Sequence, residues 1–490
     1  MPSRERVRVS FVIPNYQGEK LLQACLESVY AQETEIPFEV IVVDDGSSDG
    51  SAAMVSSRFP STRLIINQRN QGPAKCKNIG AAEARGELIA FLDNDVELDR
   101  RWLQSMYDRL TAEGEDAGAC ASHILLNGHS TTLNSTGGFV DMLGYAWDRG
   151  IFEEDRGSFS RNTRVMYACS AAMIIRRNVF ERVSGFDPRY RYLYEDVDLG
   201  WKVNVCGFKV FYEPTAIAHH HLSSTMGRNG LRNLYLSERN RICTIRVNME
   251  KETRKWMRGE FLFHFKERLR LGMEGDGMTF FHKLRLLQRM LQAVGWNIVH
   301  WRSTTRRRRE LDSLRKVRDW ELMQSGVLCP YIVEPQIEVR FSRKRGQATL
   351  EDGRRVFPGK VVMELENGGC IGPGWHDREL NESGVAFRWT TERAGVIMQT
   401  HKTRRHLVLR TLMANPREKS RLTVSVNGRV VGGLEVPNRF YAGRIRLPED
   451  LEPGYWELEL AVENPFSPRD ALNQDDERVL GVAVTSIELR

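Results

Sequence analysis

Acidic side chains gather at three places in this chain, and each gathering has a chemistry open to it. Asp93-Asn94-Asp95 sets two carboxylates one residue apart, the hard oxygen ligands that suit Mg²⁺ or Mn²⁺ holding a diphosphate. Asp44 and Asp45 stand side by side before Gly46. A carboxylate there can accept a hydrogen bond from a base imide N–H or a ribose hydroxyl; the plainer alternative is an Asp-Gly turn capping the next helix. Tyr194-Glu195-Asp196-Val197-Asp198 holds three acids within four residues. A carboxylate buried among other acids has a raised pKa, which suits a general base, whereas the same run at a helix N-terminus can equally be a solvated face. Downstream come His219, His220 and His221, one of which could complete a metal site begun by Asp95. Taken singly, each signal is weak.

Elements that could deliver these residues are readable around them. Val7–Pro14 precedes a helix from Glu19, Phe38–Asp44 a helix after Asp49, Thr62–Asn67 a helix near Ala74–Ala84, and Glu87–Leu92 a helix from Arg101. Such alternation predicts an α/β domain with a Rossmann-like, mostly parallel sheet covered by helices. Leu21, Leu22, Cys25, Leu26 and Val29 share one helical face, and Val40–Val43 is apolar throughout, as a covering helix and a central parallel strand require. Open parallel sheets bind ligands beyond the carboxyl ends of their strands, where Pro14-Asn15-Tyr16, Asp44-Asp45 and Asp93-Asn94-Asp95 all fall. No GxGxxG follows the first strand, which argues against a dinucleotide-binding domain. Short strands such as Ala172–Ile175 and Phe208–Phe211 should complete the sheet and supply the second wall of a cleft.

At 490 residues the chain has room for several domains. We expect residues 1–227 to form the α/β domain, 228–329 a helical basic segment, and 330–490 an antiparallel β-sandwich. The sandwich is read from alternating segments such as Gln336–Phe341, Leu407–Leu412, Leu422–Val426 and Trp456–Val462, separated by turns including Asn427-Gly428. Of the formal net charge of +7, residues 251–330 alone carry +9, with 18 Lys/Arg against 9 Asp/Glu. No apolar run is long enough to span a membrane, and neither an export signal nor a CxxC pair is present, so a cytoplasmic protein with reduced cysteines is expected.

In order along the chain, Val12-Ile-Pro-Asn-Tyr16, Val42-Val-Asp-Asp-Gly-Ser-Ser-Asp49, Asn70-Gln-Gly72 with Asn78-Ile-Gly80, and Gly86 through Asp95 are followed by Ser170 through Arg177, Gly185-Phe-Asp187, Glu195 through Trp201, Pro214 through His220, and Glu238-Arg-Asn240. This series resembles the inverting family 2 glycosyltransferases with the GT-A fold, particularly large bacterial rhamnosyltransferase-like members, over about residues 7–250. The resemblance implies that Pro14, Tyr16, Asp44 and Asp45 contact base and ribose. It further implies that Asp93 and Asn94 meet the ribose or donor sugar, that Asp95 and His220 hold a divalent metal, Mg²⁺ or Mn²⁺, and that Asp196 is the catalytic base with Glu195 beside it. Lys77 and Asn78 would lie at the donor phosphates. Lys77 stands where family members often carry Arg, keeping the charge but not the bidentate fork.

The implied reaction is a single displacement with inversion, in which Asp196 deprotonates an acceptor hydroxyl as it attacks the anomeric carbon of a nucleotide-diphosphate sugar, dTDP-rhamnose or a UDP-sugar. The acceptor would be a glycan or lipid-linked glycan in bacterial surface polysaccharide synthesis. The competing reading from another class is a non-catalytic glycan-binding or scaffold protein with a degraded transferase domain; retention of Asp93, Asp95, Asp196 and His220 argues against it. Residues 251–330 read either as an amphipathic collar or as a peripheral membrane contact at the inner face of the cell membrane, and no nucleic-acid-binding module accompanies their charge. Trp375 and Trp389 in the sandwich are either core residues or sugar-stacking faces.

Overall fold

The computed structural model describes residues 6–126, 129–157, 159–221, 230–258, 261–262, 265 and 280–329, four short stretches between 348 and 380, and, with interruptions, 386–489. The strand expected at 336–341, the segment 372–376 with Trp375, the side chain of Trp389 and most of 259–279 lie outside the described residues. Contacts divide the chain into two compact units, Met1–Asp319 and Trp320–Arg490.

The first unit opens with β1 (Val9–Asn15), α1 (Glu19–Tyr30), β2 (Phe38–Asp44), α2 (Ser51–Arg58), β3 (Arg63–Ile66), α3 (Pro73–Glu83) and β4 (Leu88–Leu92). It continues through β5 (Val96–Leu98), α4 (Trp102–Ala112), β6 (Ala117–Leu126), β7 (His129–Ser135), β8 (Gly138–Asp141), β9 (Ala146–Asp148), β10 (Thr163–Val165), β11 (Ala172–Arg176), α5 (Arg177–Arg182), α6 (Glu195–Val205) and β12 (Lys209–His220). Ten of these strands form one sheet, along β10-β12-β6-β11-β4-β1-β2-β3 with β5 on β12 and β7 on β6. β3, β2, β1 and β4 run parallel, as do β6 and β12, while β11 is antiparallel to both its neighbours. Val40–Val43 are buried on both faces, as a strand under helices on each side must be. Leu22, Cys25, Leu26 and Val29 of α1 pack into the same core with Trp102 and Met106 of α4.

β1 pairs with β2 on one side and β4 on the other, so the chain order reverses at β1. A crevice opens there beyond the strand ends, and this is where an open α/β sheet receives a ligand. The helices that follow, α7 (Gly230–Asn248), α8 (Lys251–Trp256), α9 (Phe280–Val299) and α10 (Trp301–Leu314), belong to the same unit. α7 packs on α6, α9 and α10. Asp187 ties this layer down by accepting from Arg189 at 2.5 Å and Arg307 at 2.9 Å. No helix among the described residues is long and apolar enough to cross a membrane.

The second unit contains two antiparallel sheets. One joins Arg393–Thr400, Gly454–Val462, Ser420–Val426 and Arg429–Val436; the other is built around Ala483–Leu489, with His406–Met413 and Tyr441–Arg446 beside it. Leu407, Leu409, Val424, Trp456, Leu458 and Ile487 share one core between them. The turn between Ser420–Val426 and Arg429–Val436 is Asn427-Gly428, with φ of 50° and 79°, the left-handed pair that a two-residue hairpin of type I′ needs.

Gly200 shows how closely the site-bearing helix is packed. A Cβ there would lie 2.4 Å from Tyr167 Cβ and 2.6 Å from Met166 O. Alanine ordinarily improves a helix interior by about 1 kcal/mol over glycine. Here the overlap reverses the sign, and Gly200→Ala is expected to lower unfolding stability by about 1–3 kcal/mol in urea titration; a stabilised variant would contradict this packing.

Candidate active site

The ends of β4 and β12 converge first. Asp93 leaves β4, and Asp95 follows two residues later just before β5, which pairs with the end of β12 so that His220 lies opposite Val96. Donor atoms of Asp93, Asp95 and His220 all fall within 4.8 Å of one another. His220 Nε2 is 3.3 Å from Asp95 Oδ1, and its Nδ1 is 2.7 Å from Asn134 Oδ1. An amide oxygen can only accept, so Nδ1 carries a proton and Nε2 is the atom offered to the carboxylates. Burial pulls the His220 pKa down, but the Asp95 and Asp93 carboxylates outweigh it and hold the imidazole above its ordinary value. Two carboxylates and one imidazole make a donor set that fits Mg²⁺ or Mn²⁺. Strand alternation sends the neighbours elsewhere: His219 meets Asp99 at 3.0 Å and His221 meets Glu97 at 2.6 Å.

Beneath this cluster lies Lys77, on α3 and only 1% exposed. Its Nζ donates to Ser170 O at 2.7 Å and Ser170 Oγ at 2.8 Å, and pairs with Asp93 Oδ1 at 2.8 Å. Burial lowers the Lys77 pKa, yet Asp93 and Glu195 raise it further, so the ammonium stays charged. Ser170 N in turn donates to Asp196 Oδ2 at 3.3 Å, and Val197 N donates to Asp196 Oδ1 at 2.8 Å. One chain of contacts therefore joins Asp93, Lys77, Ser170 and Asp196, drawing together α3, the end of β4, the loop before β11 and the start of α6. Burial raises the pKa of both acids on α6, and Glu195 reaches about 8 with the adjacent Asp196 charge adding to the effect. Glu195 Oε2 is buried and accepts no hydrogen bond.

The loop entering α6 is strained: Arg191, Leu193 and Tyr194 have φ of 62°, 64° and 71°, a region that costs a side-chain-bearing residue about 1–3 kcal/mol. It persists because α7 grips its carbonyls. Asn240, fully buried, donates through Nδ2 to Leu193 O at 2.6 Å and Tyr192 O at 3.2 Å, while Arg239 Nη2 donates to Arg189 O at 2.9 Å. Thus Glu238-Arg239-Asn240, a motif without an expected role, fixes the approach to Asp196.

Other residues singled out in the sequence divide between the crevice and its walls. Tyr16 is 51% exposed at the end of β1, directly after Asn15. Asn15 Nδ2 donates to Asp44 Oδ2 at 2.9 Å, and Asn94 Nδ2 donates to Asn15 Oδ1 at 2.7 Å, so Asn15 links the ends of β2, β1 and β4. Pro14 is buried within β1. Asp44 and Asp45 are both buried, and their oxygens accept from this chain: Asp44 from Asn15 and Ser47 N, Asp45 from Asn67, Gln71 N and Gly72 N. Asn78 bonds the backbone of Phe186 at both ends of its amide, and Lys77 has its three donors on protein oxygens. Through these bonds the two residues hold the segments that carry Ser170 and Phe186.

Asn134, Ser170 and Asp148 were not legible as site residues. Asp148, on β9, accepts from Ser135 Oγ at 2.7 Å, and burial, with the Asp196 charge second, pushes its pKa to about 7. Asn134 and Asp148 lie on β7 and β9, where no pattern flagged them, and Ser170, part of the family-like series but without a role there, lies in the loop before β11; the fold brings them to Asp196 and His220.

Residues 10–184 match the family described as Glycosyl transferase family 2. The matched segment, similar to family 2 glycosyltransferases, runs from β1 through α5 and includes the strand ends that carry Asp44, Asp45, Asp93 and Asp95. Among curated relatives, the O-antigen biosynthesis protein RfbC of Myxococcus xanthus is 30% identical over 234 residues, 46% of this chain and 18% of that protein. The N-acetylglucosaminyl-diphospho-decaprenol L-rhamnosyltransferase of Mycobacterium tuberculosis H37Rv is 28% identical over 218 residues, 40% of this chain and 70% of the relative. Among solved structures, S. aureus TarS 1–349 in complex with UDP aligns at 18% identity and a TM-score of 0.40, over 62% of this chain and 90% of that one. The first two curated relatives are far longer than the matched region, which spans 18% and 25% of them.

Removal of the central cation tests the network. Lys77→Met removes the buried ammonium that Asp93, Glu195 and Asp196 share, and breaking such a pairing costs about 3–5 kcal/mol. Thermal and urea unfolding should register a loss of that size; a variant as stable as the parent would show that Lys77 is dispensable to the fold.

Proposed function

We propose that this chain transfers a sugar from a nucleoside-diphosphate donor to a hydroxyl of a glycan or lipid-linked glycan, with inversion, in the synthesis of a bacterial surface polysaccharide. The observation that carries the reading is the single hydrogen-bonded chain that ties Asp93, at the cation-binding cluster, to Asp196 at the start of α6. The donor we favour is dTDP-rhamnose, with a UDP-sugar as the alternative; the mycobacterial relative, named for rhamnosyl transfer to a decaprenyl-linked sugar, supports it. Such donors are made in the cytoplasm, which is where we place the reaction.

In this reading the nucleotide lies over the ends of β1 and β2, with its base against exposed Tyr16 and beside the wall built on Pro14, Asp44 and Asp45. Asp93 and Asn94 meet the ribose and donor sugar. Asp95 and His220, joined by Asp93, would hold Mg²⁺ or Mn²⁺, a cation that would supply neutralisation of the diphosphate's charge. Asn134 keeps the His220 proton on Nδ1, so Nε2 faces the cluster. Asp196 accepts the proton of the acceptor hydroxyl, which attacks the anomeric carbon on the face opposite the diphosphate. Ser170 N and Val197 N hold its carboxylate in place for that transfer. Glu195 and Asp148 line the same region, and Glu195 Oε2 is an open acceptor for a hydroxyl of the incoming sugar.

Asp196→Asn keeps the shape but removes the base. It should lower turnover by about 10²–10⁴-fold, read as release of nucleoside diphosphate from a panel of nucleotide sugars with acceptor, while calorimetric nucleotide affinity is nearly unchanged. Normal turnover by the variant would refute the assignment.

The pH dependence has a definite sign. Because burial raises the pKa of the acidic pair, the protons are retained to higher pH than in free carboxylic acids, and the base is idle below that point. Turnover should therefore rise with pH along a limb lying above the ordinary carboxylate range of about 4. A rate that stays level down to that range would be incompatible with a buried carboxylate base.

A further inference from the structure

Helix α9 has two unlike faces. Met290, Ala293 and Asn297 are buried, and Asn297 Nδ2 donates to Arg239 O at 2.9 Å on α7. On the opposite side, Phe281, Leu284, Leu291, Ile298 and Val299 are 50–79% exposed. At about 100° per residue these five positions fall within an arc about 100° wide, with Gln288 and Gly295 between them. Arg285 and Arg289 flank one side of that arc and Lys283 the other. A solvated surface helix would carry polar residues here, and an exposed apolar stripe of this length marks an interaction surface.

Charge decides what fits it. Residues 280–309, which cover α9 and most of α10, contain eight Lys/Arg and no Asp or Glu. Arg302, Arg306 and Arg309 on α10 are exposed. Two copies of this chain pairing stripe to stripe would bring Lys283, Arg285 and Arg289 of each together, and α9 itself holds no Asp or Glu to offset them. A surface with an apolar interior and fixed negative charge at its boundary satisfies both features at once: the apolar stripe enters the acyl region and the long cationic side chains reach back to the headgroups.

We propose that the exposed face of α9 docks on an anionic lipid bilayer, lying in its surface without crossing it. This narrows the basic segment to one face of one helix and stands independently of the transferase reading, since nothing in it depends on the crevice. If both hold, the helix brings the catalytic unit to the surface where a lipid-linked acceptor is displayed.

Vesicle flotation with the full chain tests this. Protein should float with phosphatidylcholine vesicles containing phosphatidylglycerol, not with pure phosphatidylcholine, and should be released as salt is raised. The combined variant Leu284→Glu, Leu291→Glu, Ile298→Glu should reduce binding by at least about tenfold. Arg285→Gln with Arg289→Gln, which leaves the apolar stripe intact, should weaken it about fivefold for each charge removed. Circular dichroism and the thermal midpoint should match the parent, and both variants alter residues remote from the acidic crevice. The proposal is overturned if the parent does not bind phosphatidylglycerol vesicles, if both folded variants bind as well as the parent, or if light scattering shows a parent dimer that the glutamate variant converts to monomer.

Discussion

One buried ammonium holds the catalytic half of this protein together. Lys77 Nζ has three acceptors around it, Ser170 O, Ser170 Oγ and Asp93 Oδ1, and an ammonium offers three donors in directions that are not coplanar. A guanidinium, planar and forked, matches a carboxylate edge-on but not three oxygens converging on one point. Lysine is thus suited to these surroundings. It offsets the carboxylates around it, buried Glu195 and half-buried Asp93 and Asp196, which repel one another.

That constraint explains how distant parts of the chain are brought to one crevice. α3 supplies Lys77, β4 ends in Asp93, the loop before β11 supplies Ser170, and α6 begins with Glu195 and Asp196. Each element is rigid by its own packing, so the contacts at Lys77 set their relative positions. A second clamp acts from outside: Asn240 and Arg239 on α7 hold the carbonyls of residues 189–193, keeping three left-handed residues in place just before Asp196. The helical layer after residue 230 is therefore part of the catalytic unit's architecture.

Periodicity made the strands and helices of residues 7–112 legible because a parallel sheet needs continuous apolar strands such as Val40–Val43 and its helices need one apolar face, as in α1. The acids at strand ends were legible for the same reason, since topology places strand ends at the crevice. His220 could be separated from His219 and His221 only through the resemblance; the structure supplies the physical ground, strand alternation along β12 against β5. Lys77 and Asn78 show what a sequence does not carry. Their polar atoms meet Ser170, Asp93 and Phe186, residues far off in the chain whose proximity is a product of folding. Asn134 and Asp148 sit in short, irregular strands between residues 129 and 148, where no period announces a buried polar residue.

The charge balance of the crevice ties these observations to its chemistry. Asp93, Asp95, Glu195 and Asp196 face two cationic partners, Lys77 and His220, and the imidazole is drawn above its ordinary pKa by the carboxylates beside it. Four acids against one permanent cation leave a surplus of negative charge; burial raises the pKa of Glu195 to about 8, with the Asp196 charge adding to it, and burial also raises that of Asp196. A divalent cation among Asp93, Asp95 and His220 would remove the same surplus at the other end of the chain of contacts. The two ends are thus linked through Lys77, whose ammonium pairs with Asp93 at the strand ends and favours the ionised form of Asp196 on α6, the state in which a carboxylate can accept a proton.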